Sequence, residues 1–217
     1  MDTQVKLKPE LKVIKEEEIP HLLIPGEVGA VLELTVRDKD GKVTDHRIMR
    51  SKSFVRQFLE LLWVKFNDLP ESVIFNVRDI TNTLRDLENY YITFRCDGAA
   101  GAVTTGIIVG TGATAPTIND YKIETIIPHG AAAGQLSYSD TVIAAAASDA
   151  TTSQVTITRN FANASGGAIT VNEIALYVQG WDGVARYFMT IRDVIAGGIA
   201  VPNGQTLTVN YREQVVV

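Results

Sequence analysis

Cysteine is nearly missing: Cys96 stands alone in 217 residues, which excludes an internal disulfide and any zinc site built from several thiolates. The three histidines, His21, His46 and His129, lie far apart, and none falls in an H-x-x-x-H spacing. No G-x-S-x-G elbow occurs. The longest purely apolar stretch, Val142 to Ala147, is far shorter than the roughly 20 residues of a membrane helix. Met1 is followed by charged residues, not an apolar core, so the expected route is synthesis in a cytoplasm without secretory export. A basic excess is missing as well. The net charge of -5 argues against nonspecific binding to nucleic acid or to an anionic membrane. These absences predict a chain with no catalytic, cofactor-binding or metal-ligating residues, hence no enzyme, no cofactor, and neither nucleic acid nor membrane as a partner.

What is present divides into two textures. Residues 1–98 hold 32 of the 45 charged side chains, and residues 99–217 hold only 13, with Thr, Ala, Gly, Val and Ile filling the space. The expected organisation is an extended arm over 1–26, a hairpin, helix and strands over 27–98, and a β-sandwich over 99–217. The last two are either separate or one continuous domain. In the arm, Pro9, Pro20 and Pro25 prevent a long helix, and it reads either as a frayed terminus or as a strap ordered on a neighbouring subunit.

Leu32, Leu34 and Val36 alternate with polar residues before Asp40-Gly41, which predicts a hairpin with a two-residue turn. Asp38, Asp40 and Asp45 fail the spacing of a calcium loop and read as a solvated turn. "SFVRQFLELLWVKFND" predicts the one helix. Phe54, Val55, Phe58, Leu59, Leu61, Leu62 and Trp63 cover most of its surface, and Ser53, Arg56, Gln57 and Glu60 form a narrow polar stripe. A helix so apolar is buried by a sheet, by another subunit, or by both.

"SVIFNV" and "YYITFR" read as strands, with Cys96 on the buried face of Tyr90, Ile92 and Phe94 as a structural thiol. Further strands are expected over 106–109, 121–127, 135–143, 154–161, 168–178, 186–194 and 206–217. The separating turns are "NASGG", "GWDG", "AGG" and "VPNG". "DTVIAAAASDA" admits either a helical turn or a strand. The fold class is therefore mainly β: an antiparallel β-sandwich, jelly-roll-like or immunoglobulin-like, with one buried α-helix and an extended N-terminal arm.

One stretch imitates a nucleotide site. Gly110-Thr111-Gly112-Ala113-Thr114-Ala115 matches G-x-G-x-x-A directly after a β-branched run. Pro116 then blocks the helix whose N-terminal amides would bind pyrophosphate, so the stretch reads as a sharp turn between strands. Asn163-Ala164-Ser165 has the form of a glycosylation acceptor in a chain without an export signal.

Three segments carry a family resemblance: "IIVGTGATAPTINDYKIE", "TRNFANASGGAITVNEIALY" and "IRDVIAGGIAVPNGQTLTVNY". In this order, over about residues 106–211, they resemble β domains of virion structural proteins of tailed bacteriophages. The resemblance implies a non-enzymatic role as a capsid-decoration, vertex or fibre-base protein. It also implies homo-oligomer formation and contact with other virion proteins, either major capsid or tail proteins. The alternative is a tail, neck or baseplate component that binds a host surface or glycan, with Trp181 in "QGWDGVARY" as the contact or as an end cap of the sandwich. A cellular carbohydrate-binding module of the same fold class would be expected to carry a secretion signal.

Overall fold

A computed structural model describes residues 23, 25–51, 53–66, 76–87 and 94–217. The arm expected over 1–26 lies outside these residues except for 23, 25 and 26. The strand read in "SVIFNV" lies outside them up to residue 75, and that in "YYITFR" up to residue 93. The elements in chain order are β1 (Val28–Arg37), β2 (Val43–Ser51), α1 (Arg56–Phe66), β3 (Asn76–Arg78), β4 (Leu84–Asp86), β5 (Gly106–Gly110) and β6 (Ser137–Ile143). They continue with β7 (Ala147–Ser148), β8 (Thr152–Ala162), β9 (Ile169–Trp181), β10 (Ala185–Val201) and β11 (Thr206–Val216).

The protein is mainly β, with antiparallel sheets and a single helix among the described residues. One sheet runs β2-β1-β11-β8-β6, with β7 also on β8, and the second runs β10-β9-β5. Alternation sets the inner rows: Ala30, Leu32, Leu34 and Val36 from β1 meet Leu207, Val209 and Tyr211 from β11. Ile174, Ile191 and Ile199 from the second sheet complete the same core. The order β10-β9-β5 and the adjacency of β8 and β6 are those of an immunoglobulin sandwich. The C-terminal strand β11 takes the place beside β8 that such a sandwich gives to its second strand.

Four local expectations are corrected. The β1–β2 connection spans residues 38–42, not two residues, because Asp38 Oδ1 accepts the amides of Asp40 and Lys42 at 2.9 Å and Gly41 turns at φ 80°. "AGG" does not separate strands. β10 continues through it as a bulge, Ile199 re-pairing with Val171, and Gly198 (φ 61°) is held where a Cβ would stand 2.3 Å from Asn172 Oδ1. Residues 121–127 form no strand, only an isolated bridge between Ile126 and Gly110, because their amides are taken by side chains. The fourth correction concerns the helix. Residues 53–55 are extended along β10, where Val55 N donates to Thr190 O and Ser53 O accepts from Arg192 N, so helical structure begins only at Arg56.

The helix inverts its expected polarity at Gln57. The buried face is Gln57, Leu61 and Val64, while Leu59 (67% exposed) and Phe66 (80%) face outward. Gln57 is 0% exposed and neither amide atom has a hydrogen-bond partner. An unsatisfied buried amide is destabilising by about 1–3 kcal/mol, and leucine fills nearly the same space without polar atoms. Gln57→Leu is therefore expected to raise the urea midpoint with an unchanged slope, a gain on the order of 1–2 kcal/mol. A lower midpoint would show that the amide serves the fold.

Candidate functional site

The G-T-G segment leaves β5 at its last residue and begins an excursion that returns at Ile127, whose amide donates to Val109 O at 3.0 Å. Beneath it lies Glu173, a β9 residue with no solvent exposure. Its Oε1 accepts the amides of Gly112 (2.9 Å) and Thr125 (2.8 Å), and its Oε2 accepts that of Glu124 (3.0 Å). Arg192 of β10 donates Nε to Glu173 Oε2 at 2.9 Å, Nη1 to Asp120 Oδ2 at 2.6 Å and Nη2 to Thr114 O at 3.2 Å. Glu124 turns back on the same loop and accepts the Thr114 hydroxyl at 2.7 Å. Tyr177, also in β9, accepts the Ile123 amide on its hydroxyl at 2.7 Å.

This geometry explains the glycines differently from a sharp turn. Neither Gly110 nor Gly112 has positive φ. A Cβ on Gly112 would stand 2.3 Å from Glu173 Oε1, and one on Gly110 would stand 2.4 Å from Thr125 O. Close approach to a buried carboxylate, not backbone handedness, demands them. The amides that a phosphate would use at Gly112, Thr114 and Thr125 already donate to Glu173 and Glu124.

Electrostatics follow from the same contacts. Burial works to lower the Arg192 pKa, but Glu173 and Asp120 outweigh it and hold the guanidinium above its ordinary value. Burial likewise works to raise Asp120, and hydrogen bonds from Thr117 and Arg192 overcome it, leaving the carboxyl below the usual range. A second buried cation, Arg159 on the inner row of β8, makes no ion pair among the described residues, Asp140 acting on it only at longer range. Its guanidinium donates to the carbonyls of Ser139, Thr105, Ile107 and Ala99 at 2.9–3.2 Å and lies 4.9 Å from the Tyr138 ring centre, and burial pulls its pKa down to about 10. Asp193 ties the two sheets together, accepting the Ser51 hydroxyl at 2.7 Å and the Tyr211 hydroxyl at 3.1 Å.

The residues singled out in the sequence take ordinary structural places. Asp38 caps its own turn and Asp45 pairs with Arg47 at 3.1 Å. His46 meets Glu33 at 2.9 Å, His129 Nδ1 accepts the Tyr138 amide at 3.1 Å, and His21 lies outside the described residues. Cys96 is buried, and burial pushes its thiol up to about 12, as expected of a structural thiol. The alternation that placed it with Tyr90, Ile92 and Phe94 breaks at Phe94, which has φ 50°. Asn163 is buried, with Nδ2 donating to the carbonyls of Val201 (2.6 Å) and Gly167 (2.8 Å), so the formal glycosylation acceptor is a loop anchor. Among the described residues, no group of three His, Cys, Asp or Glu is arranged to hold a metal ion, and no helix is long and apolar enough to cross a membrane.

Apolar side chains gather instead at the surface. Leu59 and Phe66 line the outer side of α1. Val142 (61% exposed), Ile143 and the alanines 144–147 run along the edge of the first sheet. Trp181 (40%) and Val184 stand at the β9–β10 tip, and Val28 and Val215 at the opposite end of the sandwich from the β1–β2 turn. No family model, curated protein or solved structure matches this chain.

Removing one partner of a buried ion pair strands the other, a loss of about 3–5 kcal/mol. Glu173→Ala is thus expected to lower the unfolding free energy by that amount, read by urea titration. A loss under about 1 kcal/mol would mean the loop is held by other means. Asp120 adds a pH signature. With a folded pKa depressed below its unfolded value of about 3.9, its contribution is complete above that pH and is lost as pH falls through the folded value. The stability gap between wild type and Asp120→Asn should therefore be constant near neutrality and close in acid. A gap independent of pH would remove the pairing with Arg192.

Proposed function

We propose that this chain is a non-enzymatic structural component of a tailed-bacteriophage particle, a capsid-decoration, vertex or fibre-base protein that assembles in several copies. The observation that carries the reading is the inverted economy of the molecule. Its buried carboxylates and guanidiniums are engaged in holding loops and sheets together, while apolar side chains stand uncovered at α1, at the β6 edge and at the sandwich end. Apolar groups clustered in separate exposed places mark contact surfaces more often than catalysis.

The two sheet edges support the same reading. β2 carries Asp45, His46, Arg47 and Arg50, the charged pattern that blunts edge pairing. The β6 side has no charged residue from Thr141 to Ser148, and such an edge is a template for another strand. Major capsid or tail proteins, and further copies of the chain, are the partners this surface suits. The three segments that resemble phage virion domains contribute the clamp residues themselves, Glu173, Arg192 and Asp120.

Trp181 favours a second reading in the same particle. A half-exposed tryptophan at a hairpin tip is a suitable platform for a host glycan, which a tail or baseplate position would use. Glycan binding that survives Trp181→Ala would remove it.

Mass spectrometry of purified particles tests the main reading. The protein is expected to remain with particles through density-gradient purification, and particles lacking it should be less stable to heat or low salt. Recovery only from infected-cell lysate, never from particles, would sink it. In solution, light scattering is expected to give a multiple of the 23.6 kDa chain mass.

A further inference from the structure

At the end of the sandwich where β1 begins and β11 ends, the first sheet and the start of the helix do not close on each other. Between them is a groove of about 240 Å³ lined by Val28, Gly29, Val155 and Val215 of the sheet and by Phe54 and Phe58, with Glu213 among its walls and Ser153, Gln154 and Gln214 as its other polar lining. Phe54 and Phe58 meet along one side with ring centres 4.6 Å apart and planes tilted by 52°. Glu213 occupies the inner row of β11, where Leu207, Val209 and Tyr211 precede it as core residues. Its direct cross-strand neighbours are Ala30 and Val155, neither of which can donate to a carboxylate. No hydrogen bond or ion pair to Glu213 is formed among the described residues, and burial raises its pKa. An acid on an apolar row, in an open groove and without a cation, is a half-completed contact.

The missing half is written in the chain. Residues 5–15, "VKLKPELKVIK", lie outside the described residues and set Lys6, Lys8, Lys12 and Lys15 among Val5, Leu7, Leu11, Val13 and Ile14, with Glu10 as their one acid. The described chain begins at Leu23, buried against Val31 and Val216 at this same end of the sandwich, and then passes the rim of the groove: Gly26 N donates to Val216 O at 2.8 Å, Val216 N donates to Glu27 O at 3.0 Å, and Val28 and Gly29 line the groove itself. Before Leu23, the seven residues from 16 to 22 span about 25 Å when extended. Arm origin and groove thus lie at the same end of each copy, which is an arrangement that lets two copies exchange arms reciprocally about a two-fold axis.

We infer that this groove receives residues 5–15 of a second copy of the chain, with a lysine of that segment meeting Glu213 while its branched neighbours cover Phe54, Phe58, Val155 and Val215. The inference rests on the reading that the protein works in several copies, and it gives that assembly a specific lock. Val28 and Val215, exposed in the single chain, become the walls of the contact.

Zero-length carbodiimide coupling of the full-length protein tests it, because only an amine touching a carboxylate is joined. Denaturing electrophoresis separates coupled dimers from uncoupled chains, and peptide mapping of each band locates the bond. Expected is Glu213 joined to Lys6, Lys8, Lys12 or Lys15 in the dimer band. The same bond confined to the monomer band, or no bond at Glu213, overturns the inference. Light scattering on the uncoupled sample separates the two levels: an oligomer without the Glu213 bond overturns the groove and leaves the multi-copy reading standing, whereas a monomer removes both. Glu213→Gln provides the second arm. Diluted below the concentration at which the copies associate it should melt no lower than wild type, and it should associate about tenfold or more weakly, since one partner of a desolvated pair is gone. A lower melting temperature with unchanged association would assign Glu213 to the core and overturn the contact.

Discussion

The pairing of Arg192 with Glu173 is the contact on which the second sheet and its covering loop depend. Both side chains are almost sealed from water, at 2.9 Å, and both lie on the face of β9 and β10 that the excursion from residue 111 to 126 covers. A carboxylate in that position is tolerable only if its lone pairs are filled. Three loop amides and the guanidinium fill them, so desolvation is offset only when the loop is in place. The loop in turn has no ladder of its own and is ordered by what lies beneath it. Site and cover are mutually conditional, which ties residues distant in sequence into one cooperative unit.

The same logic organises the rest of the interior. Along β10, consecutive residues serve opposite faces: Arg192 holds the loop outside the sheet, and Asp193 reaches inward to Ser51 and Tyr211 of the other sheet. Along β9, Glu173 and Tyr177 face the loop while Ile174 and Leu176 fill the core. Arg159 does for residues 99–107 what Glu173 does for 111–125, gathering carbonyls where Glu173 gathers amides. The second half of the chain holds few charges, and four of its 13 meet at the Arg192 cluster. They are spent on internal order.

That concentration also decides what could be read from sequence. Strands β8 and β11 are legible from alternation, β5 and β9 from β-branched and apolar runs buried on both faces, and all of them from turn-forming residues at their ends. Residues 121–127 alternate equally well and are not a strand. Their amides go to Glu173 and the Tyr177 hydroxyl, partners fifty residues away that no local period reveals. Pro116 excludes a helix after the glycine loop, and the structure has none there, but the glycines that read as turn-formers instead let a carboxylate approach. Gln57 belonged to the polar stripe by composition and to the buried face by tertiary packing against β10 and β3. Arg159, Glu173 and Glu213 each stand in an apolar row, and that break in pattern was the signal available; its meaning needed the partner groups.

Buried charge has two outcomes here, and the contrast between them singles out the open end of the sandwich. Arg159, on the inner row of β8, and Glu173, on the loop-facing row of β9, sit in closed surroundings where backbone groups, joined at Glu173 by Arg192, satisfy them, so the fold alone accounts for their retention. Glu213 sits on an inner row like Arg159, but at the open end, with Ala30 and Val155 beside it and an aromatic wall opposite. Among the described residues no hydrogen bond or ion pair offsets its desolvation, and a valine there would continue the apolar row of β11. Arg159, Glu173 and Arg192 are closely surrounded by hydrogen-bond partners, whereas Glu213 faces an open groove. Val28 and Val215, exposed beside it, belong to the same open end, so apolar rim and unpaired acid lie together on one surface.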